Sequence, residues 1–168
     1  MAYYGEEWKG TSTMTKRVYY LTLTSVLVAL GVIGGSLFEF TVGVAKVAPM
    51  QHLINVVSGA LLGPWWAMTQ AFLTSLIRNL LGTGTILAFP GSMFGAFLSG
   101  LLFRYTKRLI AAVFGELIGT GIIGAKGALW LFVPSFFLSA LVGSVIAYVL
   151  LKSIWSTVIQ PQMNRLSK

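Results

Sequence analysis

The chain has 168 residues, of which 56% are hydrophobic and only 10% charged, with a mean hydropathy of +0.82. A soluble domain carries roughly 25% charged residues and needs that polar surface to cover its core. The composition therefore argues against a soluble enzyme, a disordered chain and a nucleic-acid-binding domain. The formal net charge is +8, from 12 Lys+Arg against 4 acidic residues, all of them Glu. The cations sit at the ends of apolar runs and form no continuous basic face, which is the pattern of membrane topology. With no Cys, disulfides, thiolate metal sites and a Cys nucleophile are excluded. A span needs about 20 residues and a connection roughly 6, so the length allows six spans at most.

Residues 1–17 are polar and end in Lys16-Arg17. The apolar run that follows is too long for the h-region of a signal peptide, so Val18–Phe38 is predicted as a first spanning helix. A polar outer loop carries Glu39, Thr41, Gly43 and Lys46. Helix two is predicted over Ala48–Gly63, with Pro49 in its first turn, and Gly63-Pro64 breaks it. Helix three covers Pro64–Leu81 and opens with Trp65 and Trp66 at an interface. The punctuated stretch Gly82–Gly91 (GTGTILAFPG) reads as a loop. Helix four covers Ser92–Tyr105, and a basic turn holds Arg104, Lys107 and Arg108. Helix five covers Leu109–Ala125, a loop runs from Lys126 to Val133, and helix six covers Pro134–Trp155.

The fold class expected is an all-α membrane protein, a six-transmembrane-helix bundle with both termini cytoplasmic. That orientation keeps eight cations inside against three outside. The division is a polar segment at 1–17, a bundle at 18–157 and a polar tail at 158–168. Small residues recur four apart, as in Gly31/Gly35, Gly91/Gly95, Gly115/Gly119 and Gly143/Ala147, which lets helix backbones approach closely.

No motif for soluble chemistry stands up. Gly119–Gly124 matches GxGxxG, but it lies inside a predicted span with no acidic residue after it, so no dinucleotide cofactor is expected. There is no Walker A sequence. His52 is the only His, which rules out a multi-His metal site, and no metal is expected. What remains is a set of polar side chains within apolar helices, costly unless paired or functional. Gln51, Asn55 and Ser58 share one face of helix two, with His52 beside them. Gln70, Thr74 and Arg78 form a stripe on helix three, with Asn79 adjacent. Glu116 and Thr120 are one turn apart on helix five.

In the six-span topology Gln51, His52, Asn55, Arg78 and Asn79 fall in the outer half, together with the loops at 39–47 and 82–91. They are expected to form an outward-facing small-molecule site between helices two, three and five. Glu116 is placed near the midplane, about 10 Å from the cytoplasmic end and below that pocket. It is a candidate ion-pair partner of Arg78. Arg78 and His52 also admit bland readings, as a snorkelling cation and a helix-end residue. Phe89, Trp130, Phe132 and Phe137 are individually expected to face lipid or to pack.

Three segments carry a resemblance: AKVAPMQHLINVVSGALLGPW (Ala45–Trp65), SLIRNLLGTGTILAFPGSMFGA (Ser75–Ala96) and GELIGTGIIGA (Gly115–Ala125). Together they resemble the ThiW-type S components of energy-coupling-factor (ECF) transporters, over about Leu21 to Leu151. The resemblance implies a six-helix subunit of a prokaryotic plasma membrane that captures a vitamin precursor from outside. It implies a transmembrane coupling protein and two cytoplasmic ATPases as partners, which fits the missing Walker A. The implied ligand is hydroxyethylthiazole, a neutral heteroaromatic alcohol. The candidate binding residues are then Gln51, His52, Asn55, Arg78, Asn79, Thr83, Phe89, Glu116, Thr120 and Trp130, with ring stacking on Phe89 or Trp130. S components also tend to carry a small-xxx-small pair on helix one that meets the coupling protein. Here that position reads Ser25 and Ala29, with Ser in place of the usual Ala.

Other readings are an S component for thiamine or a pyrimidine, an intramembrane enzyme using His52 and Glu116, and a ligand-free scaffold. A charged ligand would suit Arg78 or Glu116. The enzyme reading is disfavoured by the expected difference in depth between His52 and Glu116.

Overall fold

The computed structural model of the chain describes residues 3–42, 45–86, 88–123 and 133–161. Its elements in chain order are α1 (Tyr3–Leu37), β1 (Phe40–Val42), β2 (Ala45–Val47), α2 (Pro49–Leu62), α3 (Pro64–Leu80), α4 (Ala88–Thr106), α5 (Leu109–Ile118) and α6 (Val133–Ile154). A π-helical turn extends α5 over Gly119–Ile123, and another extends α6 over Trp155–Ile159. Among the described residues, two helical segments are long and apolar enough to cross a membrane, Lys16–Leu37 and Pro134–Ile159.

The predicted elements recur with four differences. α1 begins at Tyr3, so the polar head continues the first helix. The expected outer loop holds a two-stranded antiparallel hairpin, with Phe40 opposite Val47 and Thr41 opposite Lys46. α4 begins at Ala88 and takes in Phe89, Pro90 and Gly91, which were expected in a loop. Pro90 is tolerated there because the first-turn N–H groups have no intrahelical partner. Finally, α5 ends as a regular helix at Ile118 and changes to the wider π turn.

α2 is the centre of the bundle. Twelve of its 14 residues are buried, and it packs against α1, α3, α4, α5 and α6. A helix buried on all sides belongs in a core. Its lower part joins Leu27, Phe103, Val113, Ala147 and Leu151 in one apolar cluster. Its upper part carries the polar residues. Gly63 separates α2 from α3 with φ +81°, a conformation L side chains rarely adopt. Pro64 then starts α3 without a missing hydrogen bond.

Small residues bring the polar helices together. A Cβ on Gly31 would lie 2.9 Å from Thr74 Cγ2, and one on Gly35 would lie 3.1 Å from the Arg78 guanidinium. The α1 glycines thus make room for the polar stripe of α3. On α5, a Cβ on Gly115 or Gly119 would meet the α4 backbone at 2.5 Å. Glu116 lies between these two close approaches and is pressed into the space shared by α2, α4 and α5. The glycines of the GxGxxG sequence that fall within the described residues, Gly119 and Gly121, serve helix packing, against α4 and against Phe137.

Candidate functional site

Two buried polar clusters meet on α2. The first is built on Arg78, which is only 4% exposed and does not snorkel to the interface. Its Nη2 donates to Glu39 Oε2 at 2.5 Å and to the Thr83 carbonyl at 2.8 Å. Its Nη1 donates to Gln51 Oε1. The Gln51 amide nitrogen then donates to Ser92 Oγ at 2.8 Å and Ser75 Oγ at 3.1 Å. One glutamine therefore ties α2 to both α3 and α4. Thr83 is held by Ser36 at 2.9 Å and by its own N–H on the Arg78 carbonyl.

The second cluster is built on Glu116, which is fully buried. Its Oε1 lies 2.7 Å from His52 Nδ1, accepts from Asn55 Nδ2 at 3.0 Å and faces Thr120 Oγ1 at 3.2 Å. Asn55 Nδ2 also reaches Ser92 Oγ at 3.0 Å, which connects the two clusters. Lower on α2, Ser58 donates to Gln70, which donates to Thr74. Three buried polar atoms of the two clusters have no hydrogen-bond partner among the described residues: Asn55 Oδ1, Arg78 Nε and Glu116 Oε2.

This corrects the expected depths. Glu116 does not pair with Arg78, whose carboxylate partner is Glu39, and it is within hydrogen-bond reach of His52. The reason is the length of α2. Fourteen residues span about 21 Å, against about 30 Å for a hydrocarbon core. The N-terminal turn of α2, which carries His52, packs at the level of Glu116 on α5.

A cavity opens above the clusters. With the open mouth included it is about 570 Å³, and its enclosed volume is about 30 Å³. That is room for roughly two waters. Gln51, His52, Ser75, Arg78, Asn79, Thr120, Phe136 and Ser139 line it, with Glu39 at the hairpin side. A ligand larger than two waters must shift some of these side chains.

Of the residues singled out from the sequence, Gln51, His52, Arg78, Asn79 and Thr120 line the cavity. Asn55, Thr83 and Glu116 stand behind that lining and hold it. Phe89 does not line it but packs edge-on against Phe72, with ring centroids 5.4 Å apart. Phe137 is 45% exposed, and its neighbour Phe136 is the aromatic residue in the cavity wall. Trp130 and Phe132 lie outside the described residues. Sequence reasoning missed Glu39, Ser75, Ser92, Ser139 and the contribution of α4 and α6. Ser75 had a signal, since it precedes Arg78 by three and so shares its face. Ser92 and Ser139 had none, because a lone Ser in an apolar helix ordinarily bonds to its own backbone.

Ser25 and Ala29, expected from the sequence to meet a partner, are both exposed on α1. Ser25 Oγ donates to the Leu21 carbonyl at 2.9 Å and so is satisfied within its own helix.

No curated protein and no solved structure matches this chain. The sequence model of one family, described as the thiamine-precursor transporter protein ThiW, matches residues 21–157. That match covers all the site residues above and most of the chain. The chain belongs to the ThiW family of thiamine-precursor transporter proteins and is a membrane protein of that family.

Proposed function

We propose that the chain is the substrate-capture (S) subunit of an ECF-type transporter and that its substrate is hydroxyethylthiazole. The observation that carries the choice of ligand is the charge balance of the site. Arg78 already has Glu39, and His52 already has Glu116. His52 Nδ1 and Glu116 Oε1 engage each other at 2.7 Å, and Arg78 and Glu39 do so through Nη2 and Oε2. A charged ligand would be buried with no spare countercharge, which costs several kcal/mol. A neutral heteroaromatic alcohol needs only hydrogen bonds and an apolar wall. Gln51, His52, Arg78 and Asn79 are assigned to its hydroxyl and ring nitrogen, and Phe136 to its ring. Asn55, Thr83, Glu116 and Thr120 keep those groups in place.

The rest of the assembly follows the same reading. The chain forms six spans with both termini cytoplasmic, in a prokaryotic plasma membrane. The short helices α2 and α5 are tolerated because other helices surround them. The exposed small pair Ser25 and Ala29 meets the transmembrane coupling protein, and ATP hydrolysis resides in two separate cytoplasmic ATPases. Ligand binding to Arg78→Ala, Gln51→Ala and Asn55→Ala tests the site. All three are expected to bind more weakly than wild type, and wild-type binding by Arg78→Ala and Asn55→Ala together would remove this site from consideration.

One observation favours a second reading, acid–base catalysis by His52 and Glu116, because the pair is 2.7 Å apart. Against it, Glu116 does not line the cavity, and its Oε1 is occupied by three groups. A catalytic carboxylate must reach the proton it transfers. Incubating purified protein with hydroxyethylthiazole and analysing the ligand by mass spectrometry separates the readings. Unchanged ligand is the transporter outcome, and a new product supports catalysis.

A further inference from the structure

A different part of the surface carries its own chemistry. At the end of the bundle where α4 meets α5, the helices are joined by Lys107 and Arg108. Lys107 has φ +57°, in the left-handed region that a non-glycine residue seldom occupies. Lys107, Arg108 and Lys152 line one groove together with Leu109, Ile110, Tyr148, Trp155 and Ser156, about 900 Å³ with its open side included. Lys152 is held with its ammonium 5.5 Å from the centre of the Tyr148 ring. No carboxylate lines the groove, and none of its three cations is ion-paired among the described residues. Lys107 also borders a second groove, with Arg104, Tyr20, Trp65 and Trp66.

We infer that the groove between the α4–α5 turn and the end of α6 binds the headgroup of an anionic phospholipid. Cations at helix ends are expected from topology alone. Three cations with no ion-pair partner among the described residues, converging on one aromatic-walled groove, go beyond that, and basic pockets between spanning helices take lipid phosphates. The lipid is preferred over a soluble phosphate because the groove continues into an apolar track. Ile110 lines the groove and is 45% exposed, and Phe114 and Ile118 follow it at four-residue spacing, 55% and 40% exposed. Beside them on α6, Val142, Val145 and Val149 are exposed. The headgroup phosphate sits among the cations, and an acyl chain lies along α5 and α6.

The test uses the purified full chain and lipid binding alone, independent of any transport substrate. Protein in detergent is titrated with phosphatidylglycerol, phosphatidylcholine or inorganic phosphate, and retained lipid is counted by native mass spectrometry. Wild type is expected to retain phosphatidylglycerol selectively. Each cation near an anionic lipid is worth about fivefold in affinity, so K107Q/R108Q/K152Q is expected to lose about a hundredfold. K16Q/R17Q, at the polar start of the first span and outside the groove, is expected to retain the lipid. If the triple variant does not purify, K152Q alone is expected to lose about fivefold. Equal retention of the two lipids by wild type overturns the inference, as does equal loss in K16Q/R17Q. Retention of inorganic phosphate matching that of phosphatidylglycerol overturns the assignment to a lipid.

Discussion

Breaking the Glu39–Arg78 pair should cost more than removing it. The two side chains are 14% and 5% exposed and 2.5 Å apart. Glu39→Gln leaves a buried guanidinium without its countercharge, and Arg78→Met leaves a largely buried carboxylate. Breaking one side of a buried pair costs about 3–5 kcal/mol. The exposed edge of Glu39 admits some water, so the lower end applies, about 3 kcal/mol for Glu39→Gln. Arg78→Met also strips a donor from Gln51 Oε1 and the Thr83 carbonyl, which adds about 1–3 kcal/mol. The double variant suffers only that second loss. For a chain of this length 1 kcal/mol moves Tm by about 2–4 °C. Glu39→Gln should therefore lower Tm by about 6–12 °C and Arg78→Met by more. Glu39→Gln/Arg78→Met should recover part of the Arg78→Met loss. Thermal unfolding of the four detergent-purified proteins closes the cycle. A double variant that falls by the sum of the two singles would refute the pairing, and with it the charge argument for a neutral ligand.

Further expectations follow from the close approaches and the cavity wall. Gly95→Ala puts a Cβ 2.5 Å from Thr120 Oγ1 and 2.6 Å from Glu116 Oε2. It should cost about 1–3 kcal/mol and weaken ligand binding, read by thermal unfolding and titration. Gly63→Ala meets nothing within 4 Å but must hold φ +81°. It should lose about 1–2 kcal/mol with ligand affinity unchanged, so a large affinity loss would contradict the placement of the site. Phe136→Ala should weaken hydroxyethylthiazole at least tenfold and Phe89→Ala should leave it unchanged, measured by equilibrium binding; the reverse order would restore Phe89 as the ring partner.

The helical order was legible because its signals are local. Gly63-Pro64 shows the break between α2 and α3 directly, and the four-residue spacing of Gln70, Thr74 and Arg78 shows that they share a face. The polar face of α2 was equally visible, since Gln51, Asn55 and Ser58 fall at helical spacing. Depth was not legible, because spacing along one helix says nothing about its axial offset from another. α2 is shorter than a span and fully enclosed, so His52 descended to Glu116 against expectation. Partner choice failed for a related reason. Arg78 could be matched to any carboxylate, and the turn after α1 delivered Glu39, a residue read only as part of a polar loop. Phe136 and Phe137 are adjacent and chemically identical. Their roles differ by a rotation of about 100° on α6, which only packing decides. The three-residue strands of the hairpin after α1 and the five-residue π turn after α5 are too short to leave a periodic signal of their own.

Thermal stability of the purified protein with hydroxyethylthiazole, its phosphate ester and thiamine tests the central claim most directly. A ligand that binds only the folded chain stabilises it by about 2.7 kcal/mol at a hundredfold excess over its Kd, or about 5–11 °C here. The account predicts that shift for neutral hydroxyethylthiazole, and little or none for the anionic ester or cationic thiamine. An equal or larger shift with either charged compound would contradict it.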